Sequence, residues 1–144
     1  MGSIVSATTR ATYGAAGSLS RRDQFLASAE ALIAAAHDEI EAGHFDLALE
    51  NAYRGALRVA GAVNADSPDL QKRKRRPSSA WDKLALTGEE GKLWAARFQS
   101  YSRTRSRVAS GIDTAPDPSL VFRLLADVEA VSYTHLRAHE TPEH

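Results

Sequence analysis

Between Leu19 and Ala130 the alternation of apolar and polar positions follows the period of an α-helix. Phe25, Ala29, Leu32, Ala36 and Ile40 recur at steps of four and three and so share one face, while Glu30, Asp38, Glu39 and Glu41 fall largely elsewhere. Ser20-Arg-Arg-Asp23 ahead of them is a capping-box arrangement, in which a serine oxygen accepts from an orphan amide and an acidic side chain reaches back. Gly43-His44 supplies a left-handed stop. Phe45, Leu49, Tyr53, Ala56, Ala60 and Val63 repeat the pattern, with Glu50, Asn51, Arg54 and Arg58 on the opposite side. The connection is so short that the two helices are predicted to form an antiparallel hairpin.

Asn64 to Pro77 reads as a loop by its composition. Ser79-Ala-Trp-Asp82 is a second capping box and opens a short helix containing Trp81 and Leu84. Thr87-Gly-Glu-Glu90 is a third and opens a long helix that stops at Gly111. Asp117-Pro118 places proline in the first turn of a last helix, lined by Leu120, Val121, Leu124, Leu125 and Val128. No stretch alternates like a strand. The predicted fold is all-α, about five helices in an up-down bundle. Its core is predicted to unite Phe25, Leu32, Leu49, Tyr53, Ala56, Trp94, Phe98, Leu124 and Val128.

The length of 144 residues gives room for one such core and not two. Lysine plus arginine (18) balance aspartate plus glutamate (18), so any nucleic-acid contact must come from a local patch and not from a global field. The chain has no cysteine, which excludes disulfides, a thiol nucleophile and thiolate metal sites. No apolar run approaches the roughly 20 residues needed to cross a bilayer, and no signal-peptide pattern opens the chain, so a cytoplasmic protein is expected.

Both ends differ from the middle. Residues 1–18 are rich in Gly, Ala, Ser and Thr and read as a flexible leader. Residues 131–141, Val131-Ser-Tyr-Thr-His-Leu-Arg-Ala-His-Glu-Thr141, resemble one reading frame of a transposase-type sequencing adaptor. The segment 131–144 is therefore expected to be a non-native read-through tail, with the domain itself spanning 19–130. Three of the five histidines, His135, His139 and His144, lie in that tail, so their spacing is not taken as a metal site.

Ala42-Gly-His-Phe-Asp-Leu-Ala-Leu-Glu-Asn-Ala-Tyr-Arg-Gly-Ala-Leu-Arg-Val-Ala60, followed by a basic loop and Arg76-Pro-Ser-Ser-Ala-Trp-Asp-Lys-Leu84, resembles the actinobacterial SAV-type branch of the HEPN superfamily. The Arg-Pro-Ser-Ser-x-Trp stretch is the most specific part. The alanine-rich hairpin alone also resembles a tetratricopeptide repeat, but no second unit follows at a period near 34 residues. The resemblance implies a helical bundle, often dimeric, and in its active members an RNase that uses an Arg-x4-6-His motif. That motif is absent: outside the tail only His37 and His44 occur, and neither follows an arginine at that spacing. Each histidine has a structural reading, His37 near the end of the first helix and His44 in the turn. No catalytic set, phosphate loop, metal site or cofactor motif is found, and the domain reads as non-catalytic.

Two clusters of cations remain. Lys72, Arg73, Lys74, Arg75 and Arg76 form an unbroken run in the loop, able to neutralise several phosphates without reading sequence. On the long helix, Trp94, Phe98, Tyr101, Arg105, Val108 and Ile112 form one stripe, which puts Arg105 inside an apolar face. One reading has Arg105 join Arg103, Arg107 and Tyr101 in a concave surface for phosphate. The other has it snorkel, or pair internally with a carboxylate such as Asp82, Glu90 or Asp113. Two functions follow. The first is a module binding RNA, DNA or a nucleotide through the basic loop and the arginine-bearing face. The second is a protein-interaction or homodimerisation scaffold with no nucleic-acid role.

Overall fold

The computed structural model describes residues 20–140, with side chains through residue 135. Six helices follow one another: α1 (Arg21–Glu41), α2 (Phe45–Asp66), α3 (Pro68–Gln71), α4 (Ala80–Ala85), α5 (Glu89–Ala109) and α6 (Pro118–Glu140). No strand occurs among the described residues, and no described helix is long and apolar enough to cross a membrane. The leader 1–18 lies outside the described residues, as does His144, and the side chain of His139 is likewise not described.

Local chemistry explains where the helices start and stop. The Ser20 hydroxyl accepts from the Asp23 amide at 3.1 Å, and the Ser79 hydroxyl accepts from the Asp82 amide at 3.3 Å. Gly43 (φ 82°) and Gly111 (φ 81°) take the left-handed turn that ends α1 and α5. The third capping box does not form. The Thr87 hydroxyl donates instead to the Leu84 carbonyl at 2.7 Å, finishing α4, and α5 begins after Gly88. Two helix ends one turn apart compete for that hydroxyl, and the orphan carbonyl of α4 wins it. The loop after α2 is also more ordered than its composition suggests. Ser67 caps the single turn α3 through the Leu70 amide at 3.2 Å, and Leu70 is 2 % exposed.

The helix α2 lies at the centre and packs against every other helix. Ala48, Ala52, Ala56 and Ala60, spaced one turn apart, are all buried, so neighbouring backbones approach closely. An aromatic ladder runs outward from α2. Tyr53 meets Trp81 edge-on at 5.9 Å, Trp81 stacks on Phe98 at 5.4 Å, and Phe98 stacks on Trp94 at 5.5 Å. Trp81 Nε1 also donates to the Tyr53 hydroxyl at 2.9 Å, so the buried indole N–H has its partner. From α6, Val121, Leu124, Leu125 and Val128 close the core.

The face of α1 keeps Ala29, Ala36 and Ile40 of the sequence expectation but not Phe25 and Leu32. Leu26, Ala29 and Ala36 are buried, with Ile33 and Ile40 packed beside them, whereas Phe25 and Leu32 are only half-buried. Ile112 leaves the stripe of α5 as well: it follows the Gly111 turn and is 63 % exposed. The helix α6 continues past residue 130, with Val131 buried and the His135 carbonyl accepting from the Arg22 guanidinium.

Candidate nucleic-acid interface

The basic run starts from a fixed point. Leu70 anchors α3 in the protein, Gln71 Nε2 donates to the Asn64 carbonyl at 3.1 Å, and Lys72, Arg73, Lys74, Arg75 and Arg76 then follow, all exposed. Arg76 donates to Gln71 Oε1 at 3.2 Å, which turns the end of the run back toward α2. There it meets cations that sequence periodicity did not single out. Arg76, Arg21 of α1 and Lys83 of α4 line one open groove of about 330 Å³. A shallower groove of about 280 Å³ adjoins it, shares Arg21 and Phe25 with it, and adds Arg58 of α2. No carboxylate lines either groove among the described residues.

The second predicted cluster lies elsewhere. Arg105 makes a bidentate pair with Glu50, Nε to Oε1 at 2.9 Å and Nη2 to Oε2 at 2.9 Å, and its guanidinium lies 5.3 Å from the Tyr53 ring centroid. The internal partner is thus Glu50 of α2 and not Asp82, Glu90 or Asp113. Glu50 also accepts from Arg54 at 2.8 Å. The Arg105 hydrogen bond holds the Glu50 carboxyl below its ordinary range despite the opposing effect of burial, and the same bond raises Arg105. The exposed Arg107 pairs with Asp113 at 2.9 Å. Tyr101 is buried and donates to Asp127 at 2.9 Å; burial first, then this carboxylate, pushes its phenol up to about 12. Asp127 also accepts from Arg97 at 3.2 Å, tying α5 to α6. Of the predicted set on α5, Arg103 faces solvent.

The two clusters do not meet. Glu50 and Asn64 stand about 21 Å apart along α2 at the helical rise, with Arg105 at one end and the basic run at the other. His37 pairs with Glu129 at 2.9 Å and His44 with Glu39 at 2.9 Å, both at the surface. Among the described residues no group of three or more His, Cys, Asp or Glu side chains is placed to hold a metal ion.

A central alanine-lined helix, a short capped helix carrying a buried tryptophan, and two long flanking helices define an all-helical bundle of the HEPN kind. The family model described as SAV_6107-like HEPN matches residues 46–133, more than half of the chain, and the chain belongs to that family. The matched span runs from the start of α2 into α6 and contains the Arg76 to Trp81 stretch. No curated protein and no solved structure matches the chain.

Proposed function

We propose that this domain is a non-catalytic HEPN module that binds nucleic acid through the loop Lys72 to Arg76 and the cations gathered beside it. The observation that carries this reading is the exposed five-cation run, whose last member, Arg76, joins Arg21 and Lys83 on a groove lined by no carboxylate among the described residues. Such a surface neutralises phosphates and gains affinity mainly from counterion release. Arg105 serves the fold through Glu50 and Arg107 pairs with Asp113, so of these three α5 arginines Arg103 is the one left to contribute to binding.

Binding is expected to be weak and steeply salt-dependent. Full engagement of the run gives a slope of about −3.5 in log affinity against log salt for a single strand. Replacing Lys72, Arg73, Lys74, Arg75 and Arg76 by serine leaves the melting temperature unchanged, because the run is exposed, and flattens that slope. A titration at low and high salt checks both. Binding that ignores salt, or survives the replacement, overturns the reading.

One observation favours the scaffold alternative. Phe122 is half exposed and meets the Phe45 ring edge-on at 5.9 Å, leaving apolar surface between the start of α2 and α6. Sedimentation of the chain and of Phe122→Ser decides it: a dimer that the substitution dissociates, with no retention of nucleic acid at low salt, replaces the binding module by a scaffold.

A further inference from the structure

One hydroxyl on the cationic groove has no part in holding the fold. Ser78, in the helix-free segment between α3 and α4, is exposed and lines the groove with Arg21, Arg76 and Lys83. Its side chain makes no hydrogen bond among the described residues. The neighbouring Ser79 differs: it is half-buried, and its hydroxyl accepts from the Asp82 amide to start α4.

Arg75 and Arg76 stand three and two residues before Ser78, with Pro77 between. A proline disfavours the helical conformation at the residue before it, and Arg76 and Pro77 indeed lie outside any helix. Arginines ahead of an exposed hydroxyl, in chain that can be drawn out, suit an arginine-directed Ser/Thr protein kinase, whose cleft reads guanidinium groups with acidic side chains. Ser100, Ser106 and Ser110 also follow an arginine by three positions, but Ser100 and Ser106 lie inside α5, and the Ser110 hydroxyl donates to the Ser106 carbonyl at 2.8 Å. The groove is suited to the product as well. Phosphoserine carries roughly −1.5 to −2 charges at pH 7. No carboxylate lines the groove among the described residues: Arg76 holds only the neutral amide oxygen of Gln71, and Arg21 stands 5.7 Å from the Phe25 ring centroid. A volume of about 330 Å³ leaves room for a phosphoryl group.

From the free hydroxyl, the arginines ahead of it and the cations around it, we propose that Ser78 is phosphorylated by an arginine-directed Ser/Thr protein kinase and that the phosphoryl group docks on Arg21, Arg76 and Lys83. In the transfer, Ser78 Oγ attacks the γ-phosphorus of a nucleoside triphosphate held by the kinase. The bond from that phosphorus to the β–γ bridging oxygen breaks, the nucleoside diphosphate leaves with the electron pair, and the hydroxyl proton passes to a carboxylate of the kinase. The site stands on the groove alone. Its consequence rests on the binding-module reading: the docked phosphoryl group neutralises cations that otherwise meet nucleic acid, and so turns binding down.

The full chain and Ser78→Ala are incubated with ATP and the catalytic subunit of an arginine-directed Ser/Thr kinase, and the products are read by intact mass and fragmentation. One phosphoryl group is expected on Ser78 and none on Ser78→Ala; an unmodified chain, or phosphate only on other hydroxyls, overturns the site. The phosphorus NMR signal of the modified chain is then followed against pH. Docking on the cations holds the second phosphate ionisation below its ordinary value of about 6, and Arg21→Gln combined with Lys83→Gln, which leaves the arginines before Ser78 intact, returns it there. An ordinary value in the wild-type chain overturns the docking. Last, a single-stranded oligonucleotide is titrated into the unmodified and modified chains over a range of salt. Modification is expected to weaken binding at low salt by roughly tenfold or more and to flatten the salt slope by about one. Binding unchanged by modification overturns the consequence. An unmodified chain that binds no nucleic acid at any salt removes the binding module instead, and the mass and phosphorus readings still decide the site.

Discussion

A guanidinium is tolerated on the apolar face of α5 because its charge is answered within the bundle. Arg105 is 35 % exposed and Glu50 24 %, so the pair is partly screened by solvent, but its bidentate geometry and the Tyr53 ring beneath it make it stronger than a surface contact. Arg105→Ala is expected to cost about 1–2 kcal/mol in a denaturation curve. The Glu50 carboxyl is held below its ordinary value of 4.5, so the stability it confers is complete above that value and is lost as the pH falls through the lowered one. The gap between wild type and Arg105→Ala should therefore close in acid; a gap that persists unchanged to pH 2 would show that the pair contributes nothing. Tyr101 behaves in the opposite sense. With its phenol raised from 10 to about 12, its contribution is full below pH 10 and drains away between pH 10 and 12, a decline that Tyr101→Phe should lack when melting is followed across that window. That Arg105 needed a partner was legible from its position in the stripe. Which carboxylate supplied it was not, because Glu50 is 55 residues away and is brought near only by the packing of α5 on α2.

At the level of the helix, the chain declares its caps more openly than its faces. Ser20, Ser79, Gly43, Gly111 and Asp117 act within a turn of themselves, so local chemistry is enough to place them. Thr87 failed as a cap because two helix ends lie within its reach. The face of α1 was misplaced at two of its five positions, where Leu26 and Ile33 stand in for Phe25 and Leu32: Arg22, Leu26, Ala29, Ile33, Ala36 and Ile40 form the inward stripe, and a buried arginine at its head disguised the phase. Phe25, one of the two residues displaced, ends in the cationic groove. The groove itself was invisible in the sequence, since Arg21, Asn64, Arg76 and Lys83 come from separate elements that no periodicity connects. The alanine face of α2 supports a test at this scale. Ala52 is wholly buried, and Ala52→Leu should overpack its contacts and cost about 1–3 kcal/mol, visible as a lower denaturation midpoint with unchanged helical signal at low denaturant. An unchanged midpoint would mean that the helices do not approach as closely as described.

Across the whole molecule, α2 holds the bundle together, and α6 closes it from far along the chain. Because Val131 is buried at the rim of the core, a chain ending at Ala130 should melt a few degrees below the full chain, by roughly the 1–2 kcal/mol of one buried valine, while one ending at His135, which keeps the carbonyl that accepts from Arg22, should match it. Equal melting of all three would show that the segment after Ala130 adds nothing to the core. The arrangement around α2 also orders the events of folding. The pairing of α1 with α2 across the Gly43 turn closes a short loop, whereas the docking of α6 on α2 must close one of some dozens of residues and is entropically later. A weakening substitution in the hairpin, such as Ala56→Gly, should therefore slow refolding, and Val128→Ala should mainly hasten unfolding. The last helix would then be the element whose departure begins the loss of the native state.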